Sequence, residues 1–212
     1  TRPGARPVSA REELRRVLPV VEALAADGVR VSIDTSKADV AEAALRAGAV
    51  WVNDVTALRG DRRMARVAAR AGAAVVLMHM KGTPRTMQSA PRYRDVVREI
   101  AAFLRARADF ALRAGIPRDR IVLDPGIGFG KSAEHNLGIL RRLEELRRPG
   151  FPLAIGTSRK SFIGRVLGSP PEGRLYGTAA TVAAAVLRGA DVVRVHDVRE
   201  MCDVARMADP LR

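Results

Sequence analysis

One pattern recurs along the chain. An amphipathic stretch ends in glycine, a short apolar run follows, and the run ends in polar side chains. The segments "AGAVWVND", "AGAAVVLMHM", "AGIPRDRIVLD" and "GADVVRVHD" all read this way. Counting the same signal throughout gives six apolar runs: "VRVSID", "AVWVNDV", "AAVVLMHM", "RIVLD", "PLAIG" and "DVVRVHD". They are rich in Val, Ile and Leu and lack clean alternation, as expected of parallel strands covered on both faces. Helical periodicity predicts helices over 9–27, 37–47, 61–71, 92–114, 133–148 and 199–207, and one long helical stretch over 161–188. Ser9 is placed as an N-cap with Glu12 completing a capping box. Gly28, Gly48, Gly72, Gly115 and Gly189 stand at helix ends, where a left-handed residue is favoured.

Alternating helix and strand means parallel α/β. Two architectures remain, a doubly wound sheet and a (β/α)8 barrel. A doubly wound sheet gathers its chemistry at one switch point, whereas a TIM barrel gathers it at the C-terminal ends of all its strands. Here polar groups follow every run: Asp34, Asn53 with Asp54, His79, Asp124, the "TSRK" group, and Arg194 with His196. That distribution favours the barrel. Six of its eight strands are legible, so the chain is read as one barrel domain, residues 1–212, with two βα units expected upstream of Thr1.

The segment "DPGIGFGKS" looks like a phosphate loop, with three glycines, Lys131 and Ser132. The spacing fails, because the first glycine of G-x-x-x-x-G-K-[ST] would fall on Pro125, which has no N–H to offer a phosphate. The glycines therefore serve another purpose, and a close approach of backbone to ligand is expected there. The net charge of +14 raises the question of nucleic acid. Most of the arginines, however, lie in helical stretches such as "REELRRVL", interleaved with Glu as on solvated faces. With few aromatic residues to stack on bases, a basic nucleic-acid module is a weak alternative. The four lysines, Lys37, Lys81, Lys131 and Lys160, each lie just beyond an apolar run. A single cysteine, Cys202, excludes an internal disulfide and fits a reducing, cytoplasmic setting.

Taken as chemistry, Asp34, Asn53 and Asp124 offer acceptors and one amide to a nitrogen-rich heterocycle. Arg159, Lys160, Arg194 and His196 offer positive charge to an anion, and Met78 and Phe129 offer apolar contact to a ring. Each has a structural alternative: Asp34 or Asp124 as a helix cap, Asn53 as a turn residue, His79 as a structural histidine, Arg159 paired with a neighbouring acid.

The motifs "VSIDTSK", "VNDV", "VLMHMKGTPRTMQ", "LDPGIGFGKS", "IGTSRKSFIG" and "VVRVHDV" resemble, in order, those of the dihydropteroate synthases. The resemblance covers essentially the whole chain. It implies a TIM-barrel transferase of folate biosynthesis that joins 6-hydroxymethyl-7,8-dihydropterin diphosphate to 4-aminobenzoate. Pterin-binding methyltransferases of the same superfamily are the nearer alternative, lacking the "SRK" loop and its "RVHDV" partner. On this resemblance Asp34, Asn53, Met78, Asp124, Gly156 and Lys160 contact the pterin. Thr1, Arg2, Arg194 and His196 contact the diphosphate, and Pro3, Phe129, Ser158, Lys160 and Ser161 contact the aminobenzoate. Lys160, Arg194 and His196 are the residues implied in catalysis. Mg2+ is the implied cofactor, with its asparagine contact expected upstream of Thr1 and no metal ligand in this chain. A homodimer is implied as well.

Overall fold

The computed structural model describes residues 4–148 and 150–212. All six apolar runs form strands: β1 (Ser32–Asp34), β2 (Trp51–Asp54), β3 (Ala74–Met78), β4 (Ile121–Asp124), β5 (Ala154–Ile155) and β6 (Val192–Val193). β1 to β4 pair in chain order, all parallel. β5 pairs with β6, again parallel, and a parallel bridge between Leu123 and Leu153 joins the two ladders. Among the described residues no ladder joins β1 to β6, so the strands form an open arc.

Among the described residues eight α-helices accompany them: α1 (Ala10–Ala26), α2 (Ala38–Arg46), α3 (Met64–Arg70), α4 (Val96–Arg113), α5 (Ala133–Arg141), α6 (Ser161–Leu167), α7 (Leu175–Leu187) and α8 (Val198–Ala208). Helix existence follows the periodicity, but two boundaries do not. The stretch 161–188 is broken: α6 stops at Gly168, which takes a left-handed φ of 64°, and Pro170 and Pro171 hold the chain out of the helix until a 3₁₀ turn leads into α7. The stretch 133–148 ends as an α-helix at Arg141 and continues as a 3₁₀ turn over Leu143–Leu146. At α1 the Ser9 hydroxyl caps the Glu12 N–H at 3.2 Å. The reciprocal half of the box gives way to ion pairs, because the Glu12 carboxylate holds Arg15 and Arg16. The five helix-ending glycines all have positive φ.

The central strands β3 and β4 bury both faces, and their period of two separates the layers. Ile33, Val52, Val75, Leu77, Ile121, Leu123 and Ile155 join the large core shared with the helices. The alternate residues Trp51, Val76, Val122, Ala154 and Val192 form a separate apolar cluster on the inner face of the arc. This division explains the continuous apolar runs, and it also decides where the polar strand ends point.

Candidate functional site

Two residues beyond each inner-layer side chain comes the next residue of the same face. Trp51 leads to Asn53, Val76 to Met78, Val122 to Asp124, Ala154 to Gly156, and Val192 to Arg194. Register places Asp34 beside Asn53 and Met78 beside Asp124. The inner face of the arc therefore ends in one ring of groups: a carboxylate, an amide, a thioether, a second carboxylate, a bare glycine and a guanidinium.

Asp34 and Asn53 are joined by a hydrogen bond from the Asn53 amide nitrogen at 2.6 Å. The other Asp34 oxygen accepts from Arg194 at 2.7 Å. Asn53 Oδ1 is buried with no hydrogen-bond partner. A buried acceptor left unmet is costly, so this atom is suited to a donor brought by a ligand. Asp124 accepts the Gly126 N–H at 2.6 Å. Burial pushes its carboxyl above the ordinary aspartate range, against the opposing charge of Lys160.

Lys160 lies between these groups. Its ammonium donates to the Ile127 carbonyl and stands 5.0 Å from the Phe129 ring centroid. A side chain at Gly156 would touch both Lys160 and Arg194, at 3.8 and 3.7 Å, so the glycine leaves their shared space open. Burial lowers Lys160 to about 8, with Asp124 opposing and Arg194 adding. Met78 is 3% exposed and shares an apolar cluster with Met80, Met87, Val55 and Phe129. A cleft of about 660 Å³ opens beside Asp34, lined in part by Arg6, Lys37, Val55 and Arg85.

The "SRK" turn and the "RVHD" segment are clamped together. Arg159 takes a left-handed φ of 56°, a conformation that costs a non-glycine residue about 1–3 kcal/mol. Its guanidinium makes two hydrogen bonds to Asp197, its N–H donates to Thr178, and its carbonyl accepts from Arg174. Arg159 is thus committed to Asp197 rather than offered to an anion, as its structural alternative had it. Ser158, expected to contact the aminobenzoate, is 5% exposed, and its hydroxyl faces His196, 3.1 Å from the backbone nitrogen and 2.9 Å from ring Nδ1. Ser161 is exposed at the start of α6, next to Lys160.

The opposite face explains two residues that the strand-end pattern grouped with the site. Asp54 is fully buried and organises the following turn through Thr56 and Leu58. His79 is buried against Phe103, with ring centroids 4.9 Å apart, and acts as a structural histidine. The glycines of "DPGIGFG" also correct an expectation. A Cβ at Gly126 would overlap the His79 carbonyl, and one at Gly130 the Lys81 carbonyl. These two glycines allow backbone to approach backbone; only Gly128 borders Lys160 in the pocket. The candidate residues Thr1, Arg2 and Pro3 lie outside the described residues. Unforeseen from sequence were the Ile127 carbonyl, Gln88, whose amide donates to the Gly128 carbonyl at 2.8 Å, and the Asp197 clamp. Among the described residues no group of three or more His, Cys, Asp or Glu side chains could hold a metal ion.

Comparison with known proteins agrees with this fold. The pterin binding enzyme family model matches residues 1–196. A dihydropteroate synthase from Synechocystis is 47% identical, over 100% of this chain and 74% of its own length. The Yersinia pestis dihydropteroate synthase, solved as a sulfonamide drug complex, superposes with a TM-score of 0.96 at 42% identity, over 100% of this chain and 77% of that one. The Thermus thermophilus enzyme in complex with 4-aminobenzoate gives a TM-score of 0.93 at 50% identity, over 100% of this chain and 80% of that one.

Proposed function

We propose, given that this chain belongs to the dihydropteroate synthase family of pterin-binding transferases, that its ring of strand-end groups joins 6-hydroxymethyl-7,8-dihydropterin diphosphate to 4-aminobenzoate. The fold is the TIM barrel of that family, and the reaction is a step of folate biosynthesis. The observation that carries the site assignment is the unmet buried acceptor of Asn53 between two carboxylates, with Lys160 and Arg194 beside it. A dihydropterin edge supplies ring N–H and amino donors, and Arg194 suits the anionic end of the same molecule.

The reaction breaks the bond between the exocyclic CH2 and the diphosphate oxygen, and the electron pair leaves with diphosphate. Arg194 and His196 stabilise the charge growing there, as preorganised cations and donors do. The positive charge left on the CH2 spreads into the dihydropterin ring, held at its edge by Asp34 and Asp124. The neutral amino group of 4-aminobenzoate forms the new C–N bond and sheds a proton to solvent. That nitrogen is nucleophilic while neutral, so no residue is assigned as general base. Lys160 binds the pterin through its ammonium and packs its stem against the aminobenzoate, beside Phe129. The buried Ser158 hydroxyl accepts from the His196 backbone N–H and lies 2.9 Å from Nδ1, which holds the imidazole that would meet the leaving group. Mg2+ is proposed as an ion brought with the diphosphate; the described residues do not fit a metal site of their own, and no step here runs through it.

A homodimer is proposed, supported by the exposed Val166, Leu167 and Met207 on α6 and α8. A cytoplasmic setting is proposed from the single free cysteine; no helix among the described residues is long and apolar enough to cross a membrane. The test is release of diphosphate by the purified protein given the pterin diphosphate, Mg2+ and 4-aminobenzoate. No release, together with binding of a methylated tetrahydropterin, would move the assignment to the methyltransferases of the same superfamily.

A further inference from the structure

Lys131 is the one member of "DPGIGFGKS" with a charge and no part in the proposed reaction. It is 2% exposed. Its ammonium has three acceptors within reach: Nδ1 of His79 at 3.0 Å, the His79 carbonyl at 3.3 Å and the Phe129 carbonyl at 2.9 Å. An ammonium has three hydrogens to donate, so the group is fully used. His79 belongs to the end of β3 and Phe129 to the loop after β4. The contact therefore ties one strand end to the neighbouring loop.

That loop is docked tightly. Gly126 and Gly130 abut the carbonyls of His79 and Lys81 so closely that neither position admits a Cβ. From the other side, Tyr93 donates to the Gly130 carbonyl at 2.8 Å, and the Gly128 N–H donates to Asn136 at 2.8 Å. The loop carries two elements of the pocket, the Phe129 ring and the Ile127 carbonyl that receives Lys160.

We infer that Lys131 is a positioning residue: it latches the loop to the end of β3 and so sets the Phe129 ring for the second substrate. The inference rests on the two-substrate reading of the pocket. Supporting it, burial lowers His79 to about 3, so its ring is neutral and its Nδ1 can accept from Lys131. The lysine itself is brought down to about 7 by the same burial. A buried lysine whose donors tie the end of β3 to the neighbouring loop has a reason beyond packing, and control of the loop supplies it.

The test uses Lys131→Met, which keeps the stem and removes the donors, and Lys131→Gln, which keeps two donor hydrogens without charge. In steady-state kinetics, Lys131→Met should raise the KM for 4-aminobenzoate at least 10-fold and leave that for the pterin diphosphate within about 3-fold. Lys131→Gln should recover part of the loss. Amide hydrogen exchange of the ligand-free protein gives a readout that needs no substrate. The amides of residues 126–130 should lose at least 10-fold protection in Lys131→Met, while those of β3 keep theirs. Equal rises in both KM values, no difference between Met and Gln, or unchanged exchange over 126–130 would overturn the inference. If Lys131→Met does not fold, Lys131→Gln carries both measurements against wild type. Loosened exchange in a protein whose wild type turns over neither substrate would leave the latch standing and reject the function.

Discussion

At the scale of single residues, the site holds groups whose environments oppose their own charge, which is where activity and stability part company. Asp124 is the clearest case. Its folded pKa lies above the ordinary 3.8, so between the two values the folded state binds more protons than the unfolded one, and stability falls as pH rises through that window. The cost is absent below the unfolded value and fully present above the folded one. Asp124→Asn, which can still accept the Gly126 N–H, should therefore raise the melting temperature at pH 7. The gain should shrink as pH falls to 4 and below, while kcat/KM drops by 100-fold or more. A lowered melting temperature at neutral pH would contradict the assignment. For Lys160→Ala, losing a charged hydrogen bond worth roughly 1.5–3 kcal/mol should weaken both substrates about 10- to 150-fold at an unchanged melting temperature. Calorimetric titration of each substrate separates this from a fold defect. Ser158→Ala should lower kcat about 10-fold with little change in the KM for 4-aminobenzoate; a rise in that KM alone would return Ser158 to the aminobenzoate subsite.

At the scale of elements, the six strands were legible because each is a continuous apolar run closed by turn chemistry, and the same periodicity gave the helices. Which strand-end residues face the pocket was only half legible. Counting by twos from Trp51, Val76 and Val122 would have kept Asn53, Met78 and Asp124 and set aside Asp54 and His79. The Arg159 clamp and the Ser158–His196 contact were beyond reach, because both join segments 38 residues apart in sequence through the packing of β5 beside β6. Proline and glycine carry the break between α6 and α7, a local signal overrun by the strong apolar periodicity on either side. The loop after β4 offers its own test. Gly126→Ala must displace either the His79 carbonyl or the loop itself, so it should cost stability on the order of 3 kcal/mol and 4-aminobenzoate binding together. Gly128→Ala meets only a Lys160 methylene at 3.2 Å and should disturb substrate binding more than thermal stability. Denaturant unfolding and binding measured side by side would reveal the reverse order if the docking is misread.

At the scale of the whole molecule, a number of the arginines pair with the protein's own acids, while a net charge of +14 remains. Ion pairs link Arg63 to Asp39 and Asp61, Arg142 to Asp95 and Glu145, and Arg148 to Asp109. With few aromatic residues to stack on bases, retention of DNA or RNA at physiological salt is not expected, and a gel shift that shows it with a steep salt dependence would argue otherwise. One pair has a different standing. Arg194 and Asp34, at the ends of β6 and β1, meet across 160 positions of sequence with both side chains largely exposed. An exposed pair of this kind is worth only about 0–1 kcal/mol, so a ligand can separate it cheaply. Whatever takes only one partner, however, strands the other. A pterin without its diphosphate would leave Arg194 unneutralised, and free diphosphate would leave Asp34 so. A molecule carrying both ends exchanges each half of the pair for a better one, whereas a fragment forgoes at most the ~1 kcal/mol of the pair, so this contact tilts the site only gently toward intact substrate.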